Sequence, residues 1–587
     1  MTPVPTGHHP GRPAGPGIAL GPAFVITTAA AAPDEEETAA PAEPDHEHRR
    51  VDHALRAAAT ALRTLAAEVS AATDTTHAEI FHAQAQMATD AALAERIHAA
   101  IEEGSRAPAA VRDAFSEFRS TLAASTNPSL AERVADLDDV RGQVLAVLAG
   151  RQPGRPVPTA ACIVVADELT PAHTVRLPRA YVRGIVCASG TSTSHAAILA
   201  RALGIPAVMG VTGITDLVRE GVPVLVNGDD GTVTLNPDEE TRAQVQQELT
   251  AQAETTLRLR AAAHRPGHTR DGRRVEVAAN IDTPDAARNA VSCGAEGAGL
   301  VRTELLFLRA RQPPSVAEQA EYYRWVAQQL PGARVVFRTM DIGADKPLPF
   351  AERGTEANPA LGLRGLRLGL GQPQLLRDQL RAVLRAARSC TDPSQRLAVM
   401  FPMVTTCAEI RRAQEILAEA AEAERAGIAD IDVGIMVEVP AAALATDRLA
   451  PLVDFVSLGT NDLVQYLFAA DRTNAAVAGI PELCTPEVLQ LVRGVVAAGH
   501  RSGARVAVCG ETAADPLTAA ALVGAGVDEL SAAPPAIPQI KAVLARLDAV
   551  RLTEIVAEAS TLDSAEAVRD RLTAELAGAV GDPGTTQ

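Results

Sequence analysis

From residue 275 to residue 531 the chain alternates between short apolar runs and longer amphipathic stretches. Eight runs stand out, at 275–281, 299–302, 335–339, 397–403, 433–438, 455–459, 506–509 and 529–531. Continuous apolar runs bounded by polar segments suit strands buried on both faces, as in a parallel sheet. Most of the gaps have room for a helix, and the gap before Val335 carries a helical pattern at 317–330. Eight such units predict a (β/α)8 barrel of the TIM type over residues 271–550. The prediction rests on the count, not on any one motif.

The first half reads differently. Residues 1–16 are rich in Pro, Gly and His and are expected to be loose; 18–26 reads as one strand; 27–50 is a polar connector. From 51 to 148, apolar residues recur at helical spacing (Leu55, Leu62, Leu65, Val69; then Val134, Leu137, Val140, Val144), which predicts a bundle of about four helices. Residues 161–236 return to short apolar strands around a helix at 194–203. The strand at 18–26 lacks a sheet of its own and is expected to join this unit. The resulting prediction is a multidomain α/β chain. Residues 1–26 and 151–236 form one α/β domain, 27–150 an inserted helical domain, 237–270 a helical linker, and 551–587 terminal helices and a tail.

Composition narrows the function classes. The formal net charge is −18, a poor match to nucleic acid or an anionic membrane surface. Lys occurs only at 346 and 541, so nearly all positive charge is Arg, the better planar clamp for phosphate and carboxylate. No apolar run approaches the ~20 residues of a membrane span, and the N-terminus lacks the pattern of a signal peptide. Seven Cys without a CxxC pair fit a reducing, cytoplasmic setting.

In a barrel of this kind, reactive groups sit at the C-terminal ends of strands. Those ends and the loops after them gather Arg302, Arg338, Arg364 and Arg472 with Glu438, Asp462 and Glu511. Four guanidiniums suit a small polyanion carrying phosphate and carboxylate. Two acids from different strands suit Mg²⁺, which takes few protein carboxylates. Taken singly, each charge reads as a surface charge or ion pair. Their collection at strand ends points to a site, because solvated charges would be spread along helices. Cys509 alone reads as a buried thiol; its strand-end position makes it a candidate. A second constellation lies at 189–210, where a Ser/Thr/Gly loop leads into a helix and places His195 at the helix start. Helix N-termini favour incoming phosphate, and a neutral imidazole is a good nucleophile.

The segment Thr193-Ser-His-Ala-Ala-Ile-Leu-Ala-Arg201, followed by Leu203-Gly-Ile-Pro-Ala-Val, resembles the phosphohistidine signature of the phosphoenolpyruvate-utilising enzymes. Gly294-Ala-Glu-Gly-Ala-Gly-Leu-Val-Arg-Thr-Glu304, Phe337-Arg-Thr-Met-Asp-Ile-Gly343, Asn358-Pro-Ala-Leu-Gly-Leu-Arg364, Met436-Val-Glu-Val-Pro440, Ser457-Leu-Gly-Thr-Asn-Asp-Leu-Val-Gln-Tyr466 and Cys509-Gly-Glu511 are similar to that family's barrel. Their order resembles the enzyme I family of the bacterial sugar phosphotransferase system.

The resemblance implies a swivelling α/β phosphohistidine domain, with His195 taking the phosphoryl group. It implies phosphoenolpyruvate held by Arg302, Arg338, Arg472, Asn461 and the backbone at Asp462, with Arg364 and Lys346 as auxiliary charges. It further implies Mg²⁺ on Glu438 and Asp462, Cys509 as proton donor, the phosphocarrier protein HPr docked on the helical insertion, and a homodimer through the barrel. Three departures from the family pattern are Thr191, Ala344 and Gln84, the last where relatives often carry His. The alternatives are two. A pyruvate phosphate dikinase or phosphoenolpyruvate synthase shares both motifs, but too few residues precede His195 for its ATP-binding domain. A non-catalytic regulatory paralogue would keep the fold; the intact His, Cys and acid set argues against it.

Overall fold

The computed structural model describes residues 7–580 apart from 27–42, 73–74, 124–132, 151–157, 170–176, 179, 191–196, 198–199, 202–203, 309, 311, 343–349, 351–355, 357, 391, 428–429, 473, 475–476, 478 and 481. The chain divides into two compact units, with the boundary at residues 252 and 253.

The first unit holds an eight-stranded sheet and a helical layer. In chain order the strands are β1 (Gly7–Pro10), β2 (Arg12–Gly15), β3 (Ile18–Ile26), β4 (Cys162–Ala166), β5 (Val182–Cys187), β6 (Ala207–Met209), β7 (Pro223–Asn227) and β8 (Thr232–Leu235). They lie in the order β1-β8-β7-β3-β4-β5-β6-β2. β3 is antiparallel to β7 and parallel to β4, so the chain leaves this sheet after Ile26 and returns to it at Cys162.

The expectation that residues 1–16 are loose is corrected over residues 7–15, residues 1–6 lying outside the described residues. Gly7–Pro10 pairs antiparallel with β8 and Arg12–Gly15 with β6, at the two edges of the sheet. Edge strands tolerate the Pro and Gly that made this segment look structureless. Gly15 passes so close to Gly228 that a Cβ on Gly228 would lie 1.8 Å from the Gly15 carbonyl oxygen.

Between β3 and β4 lie five described helices rather than about four: α1 (Pro44–Ala72), α2 (Thr75–Met87), α3 (Ala91–Glu102), α4 (Ala107–Ala123) and α5 (Arg133–Leu148). Asp90 caps α3 by accepting from the Leu93 N–H. Leu62, Phe81, Ile97, Phe115 and Val140 pack into a core that shares no residue with the sheet's two cores. Gln84 is fully buried in this layer and donates to Asp136 Oδ1 at 2.9 Å. After β8 comes a polar helix, α6 (Glu239–Ala262), with Val245 its buried residue.

The second unit is the expected closed parallel barrel: β9 (Glu276–Ile281), β10 (Ala298–Arg302), β11 (Arg334–Arg338), β12 (Arg396–Phe401), β13 (Ile431–Val437), β14 (Phe455–Leu458), β15 (Arg505–Val508) and β16 (Glu529–Ala532), with β16 pairing back to β9. Successive strand residues face opposite sides. Val335 and Phe337 join the outer core under the helices, whereas Val336 joins Leu300, Ala398, Met400, Met436, Phe455 and Cys509 inside the barrel. Following that alternation, Arg334, Val336 and Arg338 all point inward, at the floor, middle and mouth. The helices Ala549–Ala559 and Ala565–Val580 contribute Leu552, Ile555 and Leu572 to the outer core of the barrel.

Candidate active site at the barrel mouth

The inward positions at the strand C-termini open into a cavity of about 230 Å³. It is lined by Arg302, Arg338, Asp341, Arg364, Glu438, Asn461, Asp462, Arg472, Cys509 and Glu511, with Leu300 and Met436 beneath. The barrel thus brings together every expected barrel-site residue that lies within the described positions. His195, Lys346, Thr191 and Ala344 lie outside the described residues.

Two of the guanidiniums are fixed by acids on the same rim. Arg338 donates through Nε and Nη2 to Glu304 Oε1 at 3.2 and 2.9 Å, and its Nη1 lies 3.2 Å from Asp341 Oδ2. Arg364 bridges Asp341 and Asp462, at 3.0 and 3.3 Å, and donates to the Tyr466 hydroxyl at 3.1 Å. Burial works against both charges, and facing carboxylates, Glu304 for Arg338 and Asp341 for Arg364, more than restore them. Arg302 is one-third exposed and pairs with Asp282 at 3.2 Å. Arg472 is exposed, and its backbone N–H donates to Gln465.

Glu438 is buried, and its Oε1 accepts the Met403 N–H at 2.6 Å. Burial, then the like charges of Asp341 and Asp462, push this carboxyl up to about 8. Gly459 makes room beside it: a Cβ there would meet Glu438 Cβ at 2.8 Å. Among the described residues no three His, Cys, Asp or Glu groups are already arranged to hold a metal ion. Glu438 and Asp462 nevertheless fit Mg²⁺. They are two hard oxygen donors beside a cavity, crowded by like charge that a dication would relieve. Cys509 is 3% exposed, and burial pushes its thiol up to about 11, so it is a protonated group facing the cavity. Asn280 holds the Cys509 carbonyl at 3.1 Å and is itself held by Ser531 at 2.8 Å.

Three family models of phosphoenolpyruvate-utilising enzymes match successive parts of the chain: the N-terminal domain at residues 10–133, the mobile domain at 158–231 and the PEP-binding domain at 257–549. A phosphoenolpyruvate-protein phosphotransferase of Streptomyces coelicolor is 42% identical over 501 residues, 85% of this chain and 87% of that protein. One of Bacillus sp. (strain S) is 42% identical over 455 residues, 76% of this chain and 78% of the relative. One of Listeria innocua is 36% identical over 564 residues, 95% and 97% of the two chains. The chain belongs to the phosphoenolpyruvate-protein phosphotransferase family.

For a phosphotransferase of this family, the supporting groups are as informative as the expected ones. Glu304 and Asp341 were visible in the motifs, but nothing in their spacing assigned them to Arg338. Gln379 gave no sequence signal at all. It sits on the helix Pro373–Arg388, accepts the Met340 N–H at 2.9 Å and donates to Thr303 and Tyr323. Thr303 in turn donates to the Arg338 carbonyl at 2.9 Å. This buried network pins the ends of β10 and β11 and so fixes where Arg302 and Arg338 stand. No helix among the described residues is long and apolar enough to cross a membrane.

Proposed function

We propose that the chain transfers a phosphoryl group from phosphoenolpyruvate to His195 and from there to a histidine of HPr, releasing pyruvate, as the first step of sugar uptake in the cytoplasm. The observation that carries this reading is the mouth itself. Four guanidiniums, the carboxyl groups of Asp341, Glu438, Asp462 and Glu511 and a protonated thiol line one cavity of a size for a three-carbon phosphate ester.

Phosphoryl transfer needs positioning and charge neutralisation more than covalent help from the protein. Arg302, Arg338 and Arg472, with Asn461 and the backbone at Asp462, would hold the phosphate and carboxylate, and Arg364 and Lys346 would add charge near the transferring group. Glu438 and Asp462 would hold Mg²⁺, which when bound supplies counter-charge for the phosphate and the departing enolate oxygen. His195 Nε2 attacks phosphorus in line. The ester P–O bond breaks, and its electron pair leaves with the enolate. The Cys509 Sγ–H gives its proton to the methylene carbon, completing pyruvate, and solvent restores the thiol. In this reading residues 1–26 and 151–236 are the swivelling phosphohistidine domain, 27–150 docks HPr, 237–270 is the linker, and the barrel at 271–550 also dimerises the enzyme. One imidazole must visit both the mouth and HPr, so the linker must permit a swing.

The test is incubation of the full chain with Mg²⁺ and phosphoenolpyruvate labelled in its phosphoryl group, without ATP. Acid-labile label is expected on His195, lost to added HPr and absent from His195→Ala. Label that is acid-stable, sits elsewhere or requires ATP refutes the proposal.

A further inference from the structure

Behind Cys509 stand two polar side chains that do not line the cavity. Along β9, Val277, Ala279 and Ile281 belong to the outer core, so Asn280 faces into the barrel. Along β16, Leu530 and Ala532 do the same and turn Ser531 inward. Asn280 Nδ2 donates to the Cys509 carbonyl at 3.1 Å, and Asn280 Oδ1 accepts the Ser531 hydroxyl at 2.8 Å. Both residues are buried. Gly299 leaves them room: a Cβ there would lie 2.7 Å from Ser531 Oγ.

The ladder between β15 and β16 ends at Val508 and Leu530. Cys509 lies just past it, where a strand end is free to turn. Two bonds fix it there. Its N–H donates to the Leu458 carbonyl on β14 at 3.1 Å, and Asn280 takes its carbonyl from β9, across β16. The peptide groups on both sides of the Cys509 Cα are thereby held, which leaves Sγ only its own side-chain torsion. An amide suits this post, because its NH₂ donates to a carbonyl while its oxygen accepts a hydroxyl. A leucine of similar size offers neither.

We infer that Asn280 is a positioning residue for proton delivery, fixing the Cys509 backbone so that Sγ–H is aimed at the methylene carbon of phosphoenolpyruvate. The inference rests on the reading of Cys509 as the proton donor. In that step the enolate C=C pair takes the Sγ proton, the enolate oxygen becomes the keto oxygen, and the thiolate left behind takes a proton from solvent. Asn280 exchanges no proton itself. Ser531 braces the amide, so that Nδ2 rather than Oδ1 faces the Cys509 carbonyl.

The test is a double-substitution cycle on the full-length protein. Pyruvate release from phosphoenolpyruvate, Mg²⁺ and HPr is the readout, and urea unfolding checks the fold. Asn280→Leu should slow pyruvate formation by up to about 100-fold, the scale of a misplaced reacting group. KM for phosphoenolpyruvate and phosphate exchange between His195 and HPr should stay unchanged. In the Cys509→Ala background the same substitution should have no further effect, because the thiol it aims is gone. Ser531→Ala, which keeps the amide but removes its brace, should show a smaller loss that also vanishes in that background; it carries the cycle where Asn280→Leu does not fold. A loss of equal size with and without Cys509, or a rise in KM that accounts for it, overturns the inference and makes Asn280 general packing of the mouth. If Cys509→Ala alone leaves pyruvate formation intact, the proton-donor reading fails, and this inference falls with it.

Discussion

Arg334 and Arg338 stand four residues apart on one strand, and both point into the barrel. At the floor Arg334 lies 3.3 Å from Asp432 and 3.5 Å from Glu529, with its guanidinium over the Phe455 ring. Arg505 completes that layer against Glu529 and Glu276. At the mouth Arg338 meets Glu304 and Asp341 in much the same way. Charge gathered at strand ends therefore does not by itself mark a site, since the strand starts gather as much. What separates the two layers is where the space lies. At the floor Arg334 and Glu529 are covered, and the groove beside Glu276 and Arg505 runs among Arg274, His500, Gly503 and Asp528 at the strand starts. At the mouth glycines at 459 and 510 leave a cavity, and a Cβ on Gly510 would fall 1.7 Å from Thr460 Oγ1.

That contrast predicts opposite phenotypes for similar substitutions. The largest effect belongs to the mouth. Glu438→Gln or Asp462→Asn should lower phosphoenolpyruvate-dependent phosphorylation by about 10²–10⁴-fold, because the enolate oxygen loses its counter-charge. Exhaustive chelation of the parent should do the same. The variants should stay folded, and full activity in either would place the metal elsewhere. At the floor, Arg334→Met should leave the turnover of folded molecules unchanged and cost about 3–5 kcal/mol in stability, because Glu529 loses a partner inside the barrel. Urea unfolding measures that loss, and a selective fall in kcat would erase the distinction between the layers.

The same contrast explains what the sequence revealed. The eight barrel strands were legible to within a few residues because strands buried on both faces are unbroken apolar runs. The strands β1 and β2 were not, because their partners lie about 200 residues away and edge pairing leaves little local pattern. The residues that line the mouth were legible as residue types at strand ends. Their support was not, because Gln379 reaches Met340 and Thr303 from a helix whose sequence reads as ordinary amphipathic surface.

Cys509 is inward-facing like the arginines but carries no fixed charge, and its expected effect is smaller. Cys509→Ala should slow pyruvate formation by about 100-fold, the lower range for a general acid. Phosphate exchange between His195 and HPr should be untouched, since no carbon is protonated there. Equal losses in both assays would reduce Cys509 to packing. The pH dependence has a definite sign. A thiol raised to about 11 by burial binds its proton more tightly in the folded protein than in the unfolded chain. The stabilisation is complete below the ordinary thiol range and is lost as pH rises toward 11. Turnover should therefore show no loss from this group between neutrality and the ordinary thiol range, and alkylation of Cys509 should stay slow across it.

The smallest effect tests whether ion pairs at the mouth are exchangeable where those of the floor are permanent. Asp282 follows β9 and faces Arg302 at 3.2 Å, with the two side chains 46% and 33% exposed. A pair this open is worth about 0.2–1 kcal/mol. If Arg302 must leave Asp282 to take the substrate's phosphate or carboxylate, that energy opposes binding. Asp282→Asn should then lower KM for phosphoenolpyruvate by up to about fivefold, while kcat and the His195–HPr exchange hold steady. Raised salt, which screens the same pair, should shrink the difference between variant and parent. An unchanged or higher KM in Asp282→Asn would mean that Asp282 orients Arg302 for the substrate, and the mouth would then be as preset as the floor.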